Sequence, residues 1–168
     1  GSNGALTFGN SGLSNNPSEN YLANNRMIAG YWRDLRTDLT GGDIFVDEGD
    51  GDVTFRWAAT HYSSGTPVNF SITLYEDGAV RLSYGSGNAE GAMIGYSAGD
   101  GENYYISEFS QSGSMDGADD IWFFANLPPG LKLSEDGLLS GTCSLVWNDS
   151  VTISVEDALG EYAEMTYP

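Results

Sequence analysis

The stretch Val68 to Gly85, VNFSITLYEDGAVRLSYG, decides the fold. Val68, Phe70, Ile72 and Leu74 alternate with Asn69, Ser71, Thr73 and Tyr75, and a period of two puts one apolar row on one face of a strand. Asp77-Gly78 supplies residues that tolerate positive φ in a tight hairpin turn. Beyond the turn, Val80, Leu82 and Tyr84 alternate with Ala79, Arg81 and Ser83, so the returning strand lays its apolar row beside the first. One face of the hairpin is core. The other is small and polar, as in an antiparallel sheet that shows one side to water or to a thin cover.

The same signature recurs on either side. Asp43 to Asp47 (DIFVD) and Val53 to Trp57 (VTFRW) are alternating strands joined by the loop EGDGD. Their apolar rows, Ile44 with Val46 and Val53 with Phe55 and Trp57, can share a face only if that loop sets the register, and a bulge is expected there. Leu6-Thr7-Phe8 reads as a first, edge strand. Met27 to Trp32 (MIAGYW), Ala92 to Tyr96 (AMIGY) and Tyr104 to Phe109 (YYISEF) continue the series. Strands at roughly ten-residue spacing with Gly, Asn and Asp turns between them signal a sandwich or barrel. The nearest approach to a helical stripe, Tyr21 to Leu39, is broken by Gly30, so irregular chain and very little helix are expected.

From Asp119 the texture changes. Pro128-Pro129-Gly130 forces an extended turn, and Leu131 and Leu133 alternate before a Glu135-Asp136-Gly137 turn. Val151 to Val155 and Tyr162 to Tyr167 read as two further strands. The fold class is therefore all-β, with an antiparallel β-sandwich domain over residues 3–119 and a small β module over residues 120–168.

Composition narrows the function. Lys and Arg number 6 against 24 Asp and Glu, a formal net charge of −18 over 168 residues. Nucleic acid is excluded as a partner, because phosphate binding needs a cationic footprint. Anionic membrane surfaces are disfavoured for the same reason, and the acidity suits a solvated surface in a salty or calcium-bearing exterior. Cys143 stands alone, so no intramolecular disulfide can form, and a lone Cys in a strand serves as a small buried hydrophobe. No run approaches the roughly 18 apolar residues of a membrane span. No signal peptide is visible; Gly1-Ser2 reads as an expression scar, which leaves room for a leader or anchor upstream.

Two resemblances follow from these residues. IAGYWRDLRT, VTFRW, NFSITLYEDGAVRLSYG and MIGYSAGDGENYY, together covering roughly residues 27–109, resemble in sequence order the NIDO-like (nidogen extracellular) domain of bacterial surface proteins. That likeness implies an extracellular β-sandwich module without catalytic residues, of the kind found in adhesion and matrix proteins. LPPGLKLSEDGLLSGT followed by VTISVEDALG is similar to the putative-immunoglobulin and dystroglycan-type cadherin-like repeats. Here Cys143 stands where that family usually has Pro, and only Ile121 to Ala125 is available for the strands that normally precede LPPGL. The resemblance implies an immunoglobulin-like or cadherin-like module that is incomplete, or that borrows strands from the preceding domain or a partner chain.

Calcium is the cofactor the acidic loops suggest, since hard cations take six to eight oxygen ligands. Candidate ligands are Asp47, Asp50 and Asp52 in DEGDGD, Asp100 and Glu102 in GDGEN, and Asp116, Asp119 and Asp120 in MDGADD. Asp157 joins them by resemblance to the cadherin-like strand end that contributes to calcium between repeats. None of these loops has the twelve-residue EF-hand pattern, and acidic turn residues also serve turn geometry and solubility. For carbohydrate, Tyr104 and Tyr105 are the suggestive pair. Adjacent strand residues point to opposite faces, so both cannot lie in one core.

For catalysis, His61 is the only histidine, and one His with one Cys makes a poor zinc site. The expectation is a non-enzymatic extracellular module of a bacterial surface or secreted protein, stabilised by calcium and acting in adhesion, matrix or display. Its partner would be a protein or glycan at the cell surface, or copies of itself. The alternatives are a filament or pilus-like subunit assembled by strand complementation, and a carbohydrate-binding module of a secreted enzyme.

Overall fold

The computed structural model describes residues 1–9, 12–76 and 78–123, and beyond them only the backbone of four strands. The chain divides into two compact units, Gly1–Phe123 and Phe124–Pro168.

In the first unit the elements run β1 (Ala5–Thr7), α1 (Glu19–Ala23), β2 (Met27–Trp32), β3 (Leu35–Arg36), β4 (Asp43–Glu48) and β5 (Asp52–His61). They continue with β6 (Pro67–Tyr75), β7 (Val80–Tyr84), β8 (Met93–Ser97), β9 (Tyr104–Ile106) and β10 (Ile121–Phe123). They make two antiparallel sheets. One has the order β1-β2-β8-β9; the other has the order β10-β7-β6-β5-β3, with β4 also paired to β5. Among the described residues the structure is all-β apart from the one-turn α1. The quoted hairpin, β6 and β7, forms the middle of the larger sheet with Leu74 opposite Val80 and Phe70 opposite Tyr84.

The apolar row read from the sequence is the row that is buried. Val68, Phe70 and Ile72 of β6 meet Leu82 and Tyr84 of β7 and Trp57 and Ala59 of β5, and Tyr31 and Ile94 of the smaller sheet close over them. Trp57 stacks on Phe70 with ring centroids 4.8 Å apart. This is the inter-sheet core, and large aromatic area supplies most of its hydrophobic stabilisation.

Strand β2 serves two cores at once. The amides of Gly30 and Tyr31 both donate to the Gly4 carbonyl, at 3.2 and 3.1 Å, and the register of β2 against β8 shifts between Ala29 and Trp32. That is a β-bulge, which reverses the alternation of side chains beyond it. Tyr31 therefore joins the inter-sheet core, while Trp32 packs with Ala5, Leu22, Met27, Ala29 and Met93 on the opposite face. This second core is roofed by α1, whose first turn is capped by the Ser18 side chain accepting from the Tyr21 amide.

The expected bulge between β4 and β5 is absent. Six consecutive pairs from Asp43–Ala58 to Glu48–Val53 run without a shift, because the short turn at Asp50-Gly51 closes the hairpin in register, with Gly51 at φ 87°. Strand β4 reaches past the edge of the core, and Val46 is 54% exposed. The one-turn helix was not foreseen, since five residues give no periodicity to detect. The stretch Ile121–Phe123, read as the opening of the tail module, hydrogen-bonds to β7, with Ile121 opposite Leu82, and lies in the first unit.

In the second unit, β11 (Leu131–Leu133) pairs with β12 (Leu139–Gly141), and β13 (Val151–Glu156) pairs with β14 (Tyr162–Tyr167). The last two are the two strands read from the sequence. The Pro128-Pro129-Gly130 turn, the Glu135-Asp136-Gly137 turn, Cys143 and Asp157 lie outside the described residues.

A side chain at Gly30 would put its Cβ 2.8 Å from Ile72 Cγ1 and 2.9 Å from the Phe70 ring, both fixed in the core. Gly30→Ala is therefore expected to cost about 1–3 kcal/mol, and Val46→Ala within about 0.5 kcal/mol, read as shifts in the denaturant midpoint. Equal costs would contradict this assignment of core and edge.

Candidate functional site

The acidic candidates are spread over separate loops. Asp50 and Asp52 lie at the β4–β5 turn and Asp47 on β4. Asp100 organises its own loop, accepting from the Glu102 and Asn103 amides at 3.0 and 2.7 Å and from Asn103 Nδ2 at 2.6 Å. Those donors pull its carboxyl down to about 2. Asp116 accepts from the Gly87 amide at 2.9 Å, and Asp120 lies 3.9 Å from Arg81 Nε. Among the described residues no three His, Cys, Asp or Glu side chains come together as a metal site.

Tyr104 and Tyr105 do point to opposite faces. The Tyr104 hydroxyl donates to Glu19 Oε1 at 2.7 Å beneath α1, and its ring packs on the second core. The Tyr105 ring lies 5.6 Å from Tyr96 and 5.9 Å from Phe123, toward the inter-sheet side. Each ring sits in its own packing layer.

Two other features stand out. The first is the outward face of the larger sheet. The register puts Arg36, Arg56 and Arg81 on that face, and each guanidinium sits over an aromatic ring. Arg36 lies over Tyr62 at 5.4 Å, Arg56 over Phe45 at 4.1 Å, and Arg81 over Trp122 and Tyr75 at 5.5 and 5.9 Å. Tyr75 and Trp122 stack at 5.6 Å, and Phe45, Trp122 and Tyr62 are 38%, 37% and 61% exposed. Between these clusters the face is hydroxyl-rich, with Thr54 and Thr73 sharing a 2.9 Å hydrogen bond. Asp43 and Asp47 of β4 lie in the same rows, so the face is mixed in charge rather than cationic.

The second feature is a polar node on Glu90, in the loop between β7 and β8. Asn88 fixes that loop. It is fully buried at φ 47°, a conformation asparagine tolerates, and its amide bonds the Asn69 and Gly85 carbonyls while accepting from the Asn69 amide. Glu90 Oε1 accepts from Ser64 Oγ at 2.5 Å and Thr66 Oγ1 at 3.0 Å. Its Oε2 lies 3.4 Å from both Arg33 Nη2 and His61 Nε2. The Tyr31 hydroxyl donates to the Glu90 carbonyl and Arg33 Nη1 to the Gly91 carbonyl, so the bulge in β2 also anchors this loop.

His61 is only 3% exposed, and neither ring nitrogen has a hydrogen-bond partner. Burial pushes its pKa down, against the opposing pull of Glu90. The Ser64 and Thr66 hydroxyls, with His61 and Arg33 nearby, hold Glu90 below the usual carboxylate range. Both hydroxyls are turned to the carboxylate and not to the imidazole. Beside the node lies a cleft of about 470 Å³ lined by Asn15, Asn16, Pro17, Arg33, Asp34, His61, Ser63 and Gln111. His61 was noted in the sequence as the sole histidine. Glu90 and Arg33 carried no local signal, because only the folded topology brings residues 33, 61 and 90 together.

A family profile described as NIDO related matches residues 1–119. The chain belongs to the NIDO-related family. This family is of extracellular type, and its match spans nearly all of the unit that holds both the sheet face and the cleft. No curated protein and no solved structure matches the chain. No helix among the described residues is long and apolar enough to cross a membrane.

The node fixes a sign for the acid response of this NIDO-related unit. Both His61 and Glu90 have folded-state pKa values below their ordinary ones, so the unfolded chain binds protons more readily. The stability they contribute is complete above pH ~6.5 for His61 and above ~4.5 for Glu90, the ordinary values of the two groups. It is lost as pH falls through the depressed values. The melting temperature is expected to fall from pH 7 downward, and His61→Leu to remove the first part of that fall. An unchanged pH profile in His61→Leu would contradict the assignment.

Proposed function

We propose that the chain is a non-enzymatic extracellular module of a bacterial surface or secreted protein, acting in adhesion, matrix attachment or display through the outward face of its larger sheet. The observation that carries this reading is the asymmetry of the two sheets. The smaller sheet is buried on both sides, by the inter-sheet core and by the core under α1. Among the described residues the larger sheet has no second apolar core, and its outward face carries arginines laid on the exposed Phe45, Tyr62 and Trp122.

Aromatic and Arg side chains are the residue types that dominate the binding energy of protein recognition sites. Seating each guanidinium on a ring reduces the side-chain freedom lost on binding. The aspartates interspersed on the face fit a neutral or mixed-charge partner at the cell surface, protein or glycan, rather than a polyanion. The edge strand β4 carries Asp43, Asp47 and Glu48, and charges on an edge discourage addition of a further strand. This favours a display module over a filament built by strand complementation at that edge.

The test is retention of labelled protein on bacterial and host cell surfaces and on immobilised matrix proteins and glycans. Arg56→Ala combined with Trp122→Ala is expected to weaken retention about tenfold or more with little change in melting temperature. Retention by the double variant equal to that of the parent would remove the sheet face from the reading.

A further inference from the structure

We infer that the outward face of the larger sheet pairs with the same face of a second copy of this chain, in a two-fold dimer. The inference rests on the reading of this face as a recognition surface and names its partner.

The placement of charge carries it. The chain holds 6 Lys and Arg against 24 Asp and Glu. The register puts three of those cations, Arg36, Arg56 and Arg81, on the outward face, and with them three of the acids, Asp43, Asp47 and Asp52. The strands of this face are therefore neutral in sum, and the whole formal net charge of −18 belongs to residues elsewhere in the chain. Two copies repel wherever acidic surface meets acidic surface. On this face that cost vanishes.

The charges are also sorted across the sheet. One cross-strand row runs through five strands, with Asp47 of β4 opposite Thr54 of β5, Thr54 opposite Thr73 of β6, Thr73 opposite Arg81 of β7, and Arg81 opposite Trp122 of β10. Asp52 precedes Thr54 on the same side of β5, opposite Tyr75. The acids thus stand toward β4, and Arg81 with its rings stands toward β10. Arg36 is held by both Asp38 oxygens at 2.8 Å, whereas Arg81 has the Asp120 carboxylate only at 3.9 Å, beyond hydrogen-bond reach.

A two-fold pairing of sheet faces has its axis in the plane between them. An axis across the strands would set β4 on β4 and β7 on β7, acid against acid and arginine against arginine. An axis along β6 sets β7 and β10 of one copy over β5 and β4 of the other. Arg81 of each copy then comes to the neighbourhood of the partner's Thr54, between the partner's Asp47 and the partner's Asp52. The same step brings Trp122 to the strand that carries the exposed Phe45. Opposite charges in register fix both partner and orientation. A neutral glycan has no use for charges sorted in this way.

The test is the mass of the intact chain by light scattering and sedimentation over a concentration series. It compares the parent, Arg81→Glu, Asp47→Lys, and the two variants mixed in equal amounts. The parent is expected to double its mass as concentration rises. Each variant alone sets like charges against each other and should weaken the dimer about tenfold or more. The mixture should recover it, since it holds one native pair and one with the charges exchanged. Within one chain the two positions are three strands apart, about 14 Å, so recovery reports contact between chains and shows both variants folded. A parent that stays monomeric throughout overturns the inference and leaves retention on other surfaces to judge the adhesion reading. A dimer that neither substitution weakens, a loss that mixing does not restore, and growth into open polymers each overturn it as well.

Discussion

The close approach of β2 to the larger sheet at Gly30 is the constraint on which this molecule depends. Only a residue without a side chain lets Ile72 and the Phe70 ring come so near, and the buried Tyr84 hydroxyl donates to the Gly30 carbonyl at 2.8 Å across the same gap. The adjoining bulge then changes which way every later side chain of the strand points. Without it, Tyr31 and Trp32 would exchange faces, and two large aromatic rings would each sit in the wrong layer. One extra residue in a ladder thus lets a single strand serve two hydrophobic cores.

The polar features inherit their geometry from that point. Tyr31, directed inward, ties down the Glu90 carbonyl. Arg33, two residues on, bonds the next carbonyl and the Glu90 side chain. Trp32, directed outward, pins the chain at Ser14. The network is half-buried at Arg33 and Glu90, with the buried His61 ring 3.4 Å from the Glu90 carboxylate. The acidic loops follow a different logic. Asp100 bonds the amides of its own turn and Asp116 the Gly87 amide of another loop, and among the described residues the acids form no metal-binding cluster.

The architecture was readable where local pattern and burial agree. The alternation in Val68–Leu74 and Val80–Tyr84 names the core row correctly because strand parity and hydrophobic burial ask for the same residues. The edge position of β1 and the strands Val151–Glu156 and Tyr162–Tyr167 were equally plain. Parity fails as a guide at Tyr31 and Trp32, since a bulge is a property of two strands and leaves no mark on one. The helix at Glu19–Ala23 is too short for periodicity, although Ser18 before Glu19 is a capping signal. The polar node was illegible for a deeper reason: Arg33, His61 and Glu90 come from the β2–β3 turn, the end of β5 and the β7–β8 loop, and no spacing along the chain encodes their meeting. Tyr104 and Tyr105 were visible as a pair that no single core could hold, and the structure answers with two cores.

The placement of the tryptophans gives this unit a built-in set of optical reporters. Trp32 is sealed in the core beneath α1, Trp57 is stacked between the sheets, and Trp122 is partly open to solvent on the outward face. Their emission should differ in colour and in access to a dissolved quencher. A loosening of the helical cover, a parting of the sheets and an occlusion of the outer face would each change a different indole. The layering that divides the core in two therefore also divides the fluorescence, and makes it possible to ask whether the two layers melt together.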